Sequence, residues 1–98
     1  MTALDRRGGG LYIRHTVNIY YLSQRENTGL DTFDSCVVVA KSPADARKIH
    51  PSGGENGLAS DDLGATTWAP PKHVTVVRIG TASRAQARGV ICASFNAG

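Results

Sequence analysis

The chain lacks the marks of several common function classes. None of its apolar runs approaches the roughly 20 residues that a membrane helix needs. No apolar segment follows Arg6 and Arg7 to complete a secretory leader, so a cytoplasmic location is expected. There are two cysteines and neither sits in a Cys-x-x-Cys pair, which leaves a zinc site without support. The acids fall at no EF-hand spacing, and His-x-x-x-His and Gly-x-Ser-x-Gly are both absent. Aromatic residues make up only 6% and do not interleave with the basic ones, as a single-strand stacking platform would require. No cofactor, metal or catalytic residue is therefore expected.

What is present describes a small globular domain. At 98 residues, with 41% hydrophobic and 19% charged side chains, the chain is long enough for one modest core and too apolar for global disorder. Cys36 and Cys92 lie inside the apolar runs SCVVVA and GVICASF and read as two buried free thiols, with a disulfide or redox pair as the alternative. The net charge of +3 is unevenly spread. Residues 1–25 carry four basic side chains against one acid, 26–62 three against seven, and 63–98 four against none. That asymmetry favours charged partners or head-to-tail contacts, but it falls short of the dense basic stripe of a direct nucleic-acid binder.

MTALDRRGGG reads as a flexible tail over residues 1–12, followed by one domain over 13–98. In HTVNIYYLS, a strand starting at Ile13 or Thr16 and ending at Ser23, period two separates Val17, Ile19 and Tyr21 from Asn18, Tyr20 and Leu22. SCVVVAK, from Ser35 to Lys41, is a second strand, apolar on both faces and so expected at the centre of a sheet. SPADARKIHP predicts a helix over Pro43 to Ile49: Ser42 is the N-cap, Pro43 the first helical residue, and Asp45 the acid of a capping box. Ala46 and Ile49 should face the sheet, and Lys48 and His50 should place positive charge at its C-terminal end.

Residues 51–72 read as one long loop, with Trp68 near its end either pinning the loop to the core or serving as an exposed contact. HVTVVRIGTA and RGVICASFN are the third and fourth strands, and their closeness in sequence predicts a hairpin. The order β-β-α-β-β defines an α+β fold: a four-stranded, mainly antiparallel sheet with one short helix on one face. The other face, expected to carry some of Val37, Val39, Tyr20, Leu22, Ile91 and Phe95, needs the loop, the tail or a second subunit to cover it. A homodimer is therefore expected as one solution.

ENTGLDTFDS, residues 26–35, packs three carboxylates, one amide, three hydroxyls and two large apolar side chains between the first two strands. Asn27, Thr28 and Gly29 are turn chemistry, and Asp31 and Asp34 can cap local backbone N–H groups. The segment reads either as a self-bonded loop with Leu30 and Phe33 tucked against the core or, where its carboxylates converge, as a site. His50 and Ser52 join it if the turn after the helix lies at the same end of the sheet. Arg78, Arg84, Arg88 and Lys72 read as a solvated basic face.

The pieces YYLSQRENTGLDTFDS, VVVAKSPADARKIHPSG, VTVVRIGTA and RGVICASFNAG, with the isolated Trp68, resemble a group of small phage- and prophage-encoded proteins. The shared pattern is ENxGxDTxDS, ARxIHPSG and RGVIxASFNAG; it covers nearly everything from Val17 to Gly98 and names no activity. The resemblance implies a binding role in the cytoplasm of a bacterial host. Short accessory proteins of this kind often block host defence, as anti-CRISPR proteins do, or sequester signalling nucleotides. In that context Glu26, Asn27, Asp31, Asp34, His50, Ser52 and Trp68 are the candidate contacts. The leading expectation is a non-enzymatic inhibitor of a host defence protein or complex, of anti-CRISPR type, covering a nucleic-acid-binding surface. A nucleotide or small-molecule binder is the alternative, and a small metal-dependent enzyme the third.

Overall fold

The computed structural model describes residues 17–56, 67–83 and 85–97. The expectations for the tail 1–12, for a strand start before residue 17, for the middle of the 51–72 loop and for Arg84 lie outside the described residues. Four strands, β1 (Asn18–Ser23), β2 (Thr32–Ala40), β3 (Thr75–Thr81) and β4 (Gly89–Asn96), form one antiparallel sheet in the order β3-β1-β2-β4. One helix, α1 (Pro43–Arg47), packs on β1, β2 and β3. The fold is the α+β architecture that the sequence predicts. No helix among the described residues is long and apolar enough to cross a membrane.

The expected hairpin between β3 and β4 does not form: the two strands lie at opposite edges. β1 and β2 occupy the centre and pair with each other from Asn18↔Ala40 to Ser23↔Ser35. A seven-residue connection can reach roughly 23 Å, well over the ~14 Å that three strand spacings require. Proximity in sequence therefore imposes no pairing. Arg88 holds the far end of this crossing in place, with its Nε 2.9 and 3.1 Å from the two carboxylate oxygens of Asp45 and Nη1 3.3 Å from Glu55.

Register decides which residues are core. Tyr20 opposes Val38 and Leu22 opposes Cys36, and these four side chains, with Ala40, meet Ala46, Ile49, Trp68, Ala69 and Val74 in one buried cluster. Tyr20 and Leu22 thus lie under the helix layer, not on the opposite face, where Val39 is nevertheless fully buried. Period-two alternation says which residues share a face but not which face the helix takes. Trp68 is the largest fully buried side chain and pins the segment before β3 onto the sheet, the first of the two roles read for it.

The helix begins as its cap predicts: Asp45 N–H donates to Ser42 Oγ at 3.0 Å, and Pro43 opens the first turn. The Asp45 carboxylate accepts from Lys41 N–H at 3.2 Å, one residue before the cap. The helix stops at Arg47, two residues earlier than expected, because Ile49 leaves it to bridge Glu55. β2 starts three residues earlier than expected, so that Thr32 to Ser35 of the acidic segment are strand.

Both cysteines are free; Cys36 is buried, whereas Cys92, expected in the core, is exposed because β4 is an edge strand. Burial pushes the Cys36 thiol from 9.0 up to about 12, with nearby Cys92 adding to the rise. The unfolded chain then loses this proton before the folded one does. Stability present below the unfolded value is therefore lost as pH climbs between the two. Under native conditions near neutral pH a maleimide should label one thiol per chain, Cys92, and a second only in denaturant. Rapid native labelling at Cys36, read by mass spectrometry, would contradict this packing.

Candidate functional site

At the end of the sheet where β1 turns into β2, one side chain organises the loop. Gln24 continues the inward phase of Tyr20 and Leu22 and is buried, but it is an amide. Its Oε1 accepts the backbone N–H of Glu26 at 2.8 Å and of Asn27 at 2.9 Å. Its Nε2 donates to the carbonyls of Asn27 at 2.7 Å and Phe33 at 2.9 Å. Four bonds from one group replace the strand ladder where the chain departs from it.

The remainder of the loop is pinned from three sides. Asn27 Nδ2 donates to the Trp68 carbonyl, and Glu26 pairs with His73 in the turn Pro71–His73. Thr32 Oγ1 donates to Gly29 O at 2.7 Å. Asp31 adopts a left-handed φ of 60°, which Asp tolerates better than most residues, and its N–H donates to Asn96 O at the end of β4. Asn96 Nδ2 returns to Asp34 Oδ1 at 2.7 Å. Glu26, Asp31 and Asp34 are all exposed, and Leu30 between them is 71% exposed.

The segment is thus a self-bonded loop that also displays its charges. Phe33 packs against the core as expected, but Leu30 projects into solvent because its neighbour Asp31 turns the chain. Among the described residues no group of three or more His, Cys, Asp or Glu side chains could hold a metal ion.

The turn after the helix does reach this end of the sheet. The His50 ring meets Phe33 edge-on, with centroids 5.9 Å apart. His50 is nevertheless buried, so it is not displayed as a helix-end cation. Its Nδ1 accepts the Ser52 backbone N–H at 3.1 Å and lies 2.8 Å from the Ser52 hydroxyl; Nε2 lies 3.5 Å from Thr67 Oγ1. Ser52 is exposed on the tight turn closed by His50 N–H to Gly54 O. The structure therefore gathers Glu26, Asn27, Asp31 and Asp34 at one tip, with His50 and Trp68 beneath it as packing.

Two buried amides were not singled out from the sequence. Gln24 could have been found as the polar residue that continues the inward phase of Tyr20 and Leu22 just beyond β1. Asn56, whose Nδ2 ties Arg47 O at 3.3 Å to Ala69 O at 2.9 Å, lies in a segment without periodicity and carried no signal.

Comparisons with protein-family models, curated proteins and solved structures find no match to this chain. Its own geometry defines it as a small α+β domain with a braced acidic hairpin tip.

Proposed function

We propose that the protein is a non-enzymatic binding protein of phage type that inhibits a bacterial defence component by presenting this acidic tip to a basic, nucleic-acid-binding surface. The observation that carries the reading is Leu30, exposed among Glu26, Asp31 and Asp34 on a loop already held by Gln24. A braced loop loses little conformational entropy on docking. An apolar anchor inside a ring of charge is the usual anatomy of a contact centre. The carboxylates would compete with phosphates for the Lys and Arg side chains of the target and speed encounter. The choice of a defence complex as the target rests on the resemblance to phage accessory proteins.

The test is binding to purified CRISPR effector complexes by the wild type and by Glu26→Gln, Asp31→Asn, Asp34→Asn combined. Each exposed charge contributes about 0.2–1 kcal/mol, so the triple variant should bind roughly tenfold more weakly and with a shallower salt dependence. Unchanged affinity would remove electrostatic competition as the mechanism. A rise in melting temperature on adding nucleotides, without effector binding, would point instead to a small-molecule binder.

A further inference from the structure

The two edges of the sheet are built differently. β3 carries Arg78 at its middle, held by Nε to Asn18 Oδ1 at 3.1 Å and Nη2 to Thr81 Oγ1 at 2.7 Å, and is bulged at Ile79. A charge and a bulge are the usual protection of an edge strand. β4, GVICASFN, has no charge and no proline along its eight residues. It is bulged at Ile91, and its pairing with β2 shifts register again between Ser94 and Phe95, where β2 carries the extra residue.

β4 is also bare. Among the described residues it pairs only with β2, and Ile91 to Phe95 are all exposed, including Ala93, which opposes the buried Cys36. Phe95 rests on Phe33, with ring centroids 4.8 Å apart, yet stays 47% exposed, an aromatic anchor covered on one side only.

We infer that β4 is a homodimer edge: two copies pair antiparallel along it, joining their sheets into one of eight strands. Charge selects this partner. β4 against β4 places neutral, mostly small side chains opposite one another, whereas β3 against β3 would set Arg78 against its copy. β4 against β3 of another copy would be heterologous and would grow an open filament, while self-pairing closes after two copies. The two-fold axis is perpendicular to the sheet, so both helices lie on one side and the acidic tips point to opposite ends. The five residues beyond the Ile91 bulge make a contact only about 17 Å long, less than the ~800 Å² per partner of a standard interface. The dimer is therefore weak and concentration-dependent.

Sedimentation equilibrium on the full chain tests the inference independently of any defence target. The wild-type mass should rise with concentration from 10.4 kDa toward twice that value. Ser94→Lys, at the centre of residues 92–96, should weaken the association at least about tenfold by setting like charges across the axis. Val77→Lys, also exposed but on β3, should leave it unchanged. A wild type that stays monomeric up to about 1 mM overturns the inference. So does a dimer that survives Ser94→Lys or is broken by Val77→Lys. Should Ser94→Lys fail to fold, amide exchange of the wild type decides: protection of residues 92–95 that grows with concentration, without growth on β3, supports the edge, and its absence refutes it.

Discussion

Replacing Trp68 by alanine should cost about 3–5 kcal/mol, the largest single-residue loss in the molecule. Trp68 is fully buried and joins the segment before β3 to Tyr20, Leu22 and Ile49 beneath the helix. In a domain of this size each kcal/mol moves the melting temperature by roughly 4–8 °C, so the variant should melt at least about 12 °C lower or fail to fold. Phenylalanine makes the sharper comparison. Among the described residues Trp68 Nε1 is buried without a hydrogen-bond partner, and an unmet donor costs about 1–3 kcal/mol that Trp68→Phe would recover. The smaller ring leaves a void that offsets part of this gain. Trp68→Phe should therefore lose less than about 1.5 kcal/mol. The chain has one tryptophan, so denaturation must be followed by circular dichroism. A Trp68→Phe loss as large as that of Trp68→Ala would mean that Nε1 has a bonded partner after all.

Gln24→Ala should cost about 2–4 kcal/mol although it removes little apolar surface. Two N–H groups and two carbonyls lose their partner together, and each buried group left unmet costs about 1–3 kcal/mol where water cannot reach it. Gln24→Glu separates shape from hydrogen bonding. At neutral pH the carboxylate keeps the two bonds it accepts but turns an oxygen toward the carbonyls of Asn27 and Phe33, so the variant should be destabilised. As pH falls and the new carboxyl gains a proton, one donor returns and the gap to wild type should narrow. Both variants should also weaken target binding while leaving every charge of the tip in place, because the loop would have to be ordered on docking. A Gln24→Ala protein with wild-type unfolding midpoint would show that the tip does not depend on this amide.

The two amides mark the limit of what composition and spacing convey about the site. Glu26, Asn27, Asp31 and Asp34 are recognisable as an acidic turn because their types are unusual at that density. Whether they converge depends on backbone geometry, and that comes from Gln24, the left-handed turn at Asp31 and the clasp of Asn96 on Asp34. Asn96 is 62 positions from Asp34, a separation that no local pattern encodes. His50 shows the same division: its place after a short helix is local, but its burial against Phe33 is not.

By itself the sequence determined the four strands and the capped start of the helix, because β-branched alternation and the Ser42-Pro43 start act through sterics and bonds within a few residues. It also determined that one helix could not cover both faces. Only the tertiary structure decided that β3 and β4 lie at opposite edges, that Tyr20 and Leu22 face the helix, and that Cys92 is exposed. The reason is that strand order and the choice of covered face are set by which long-range pairings bury most surface together. A local pattern constrains that competition without settling it.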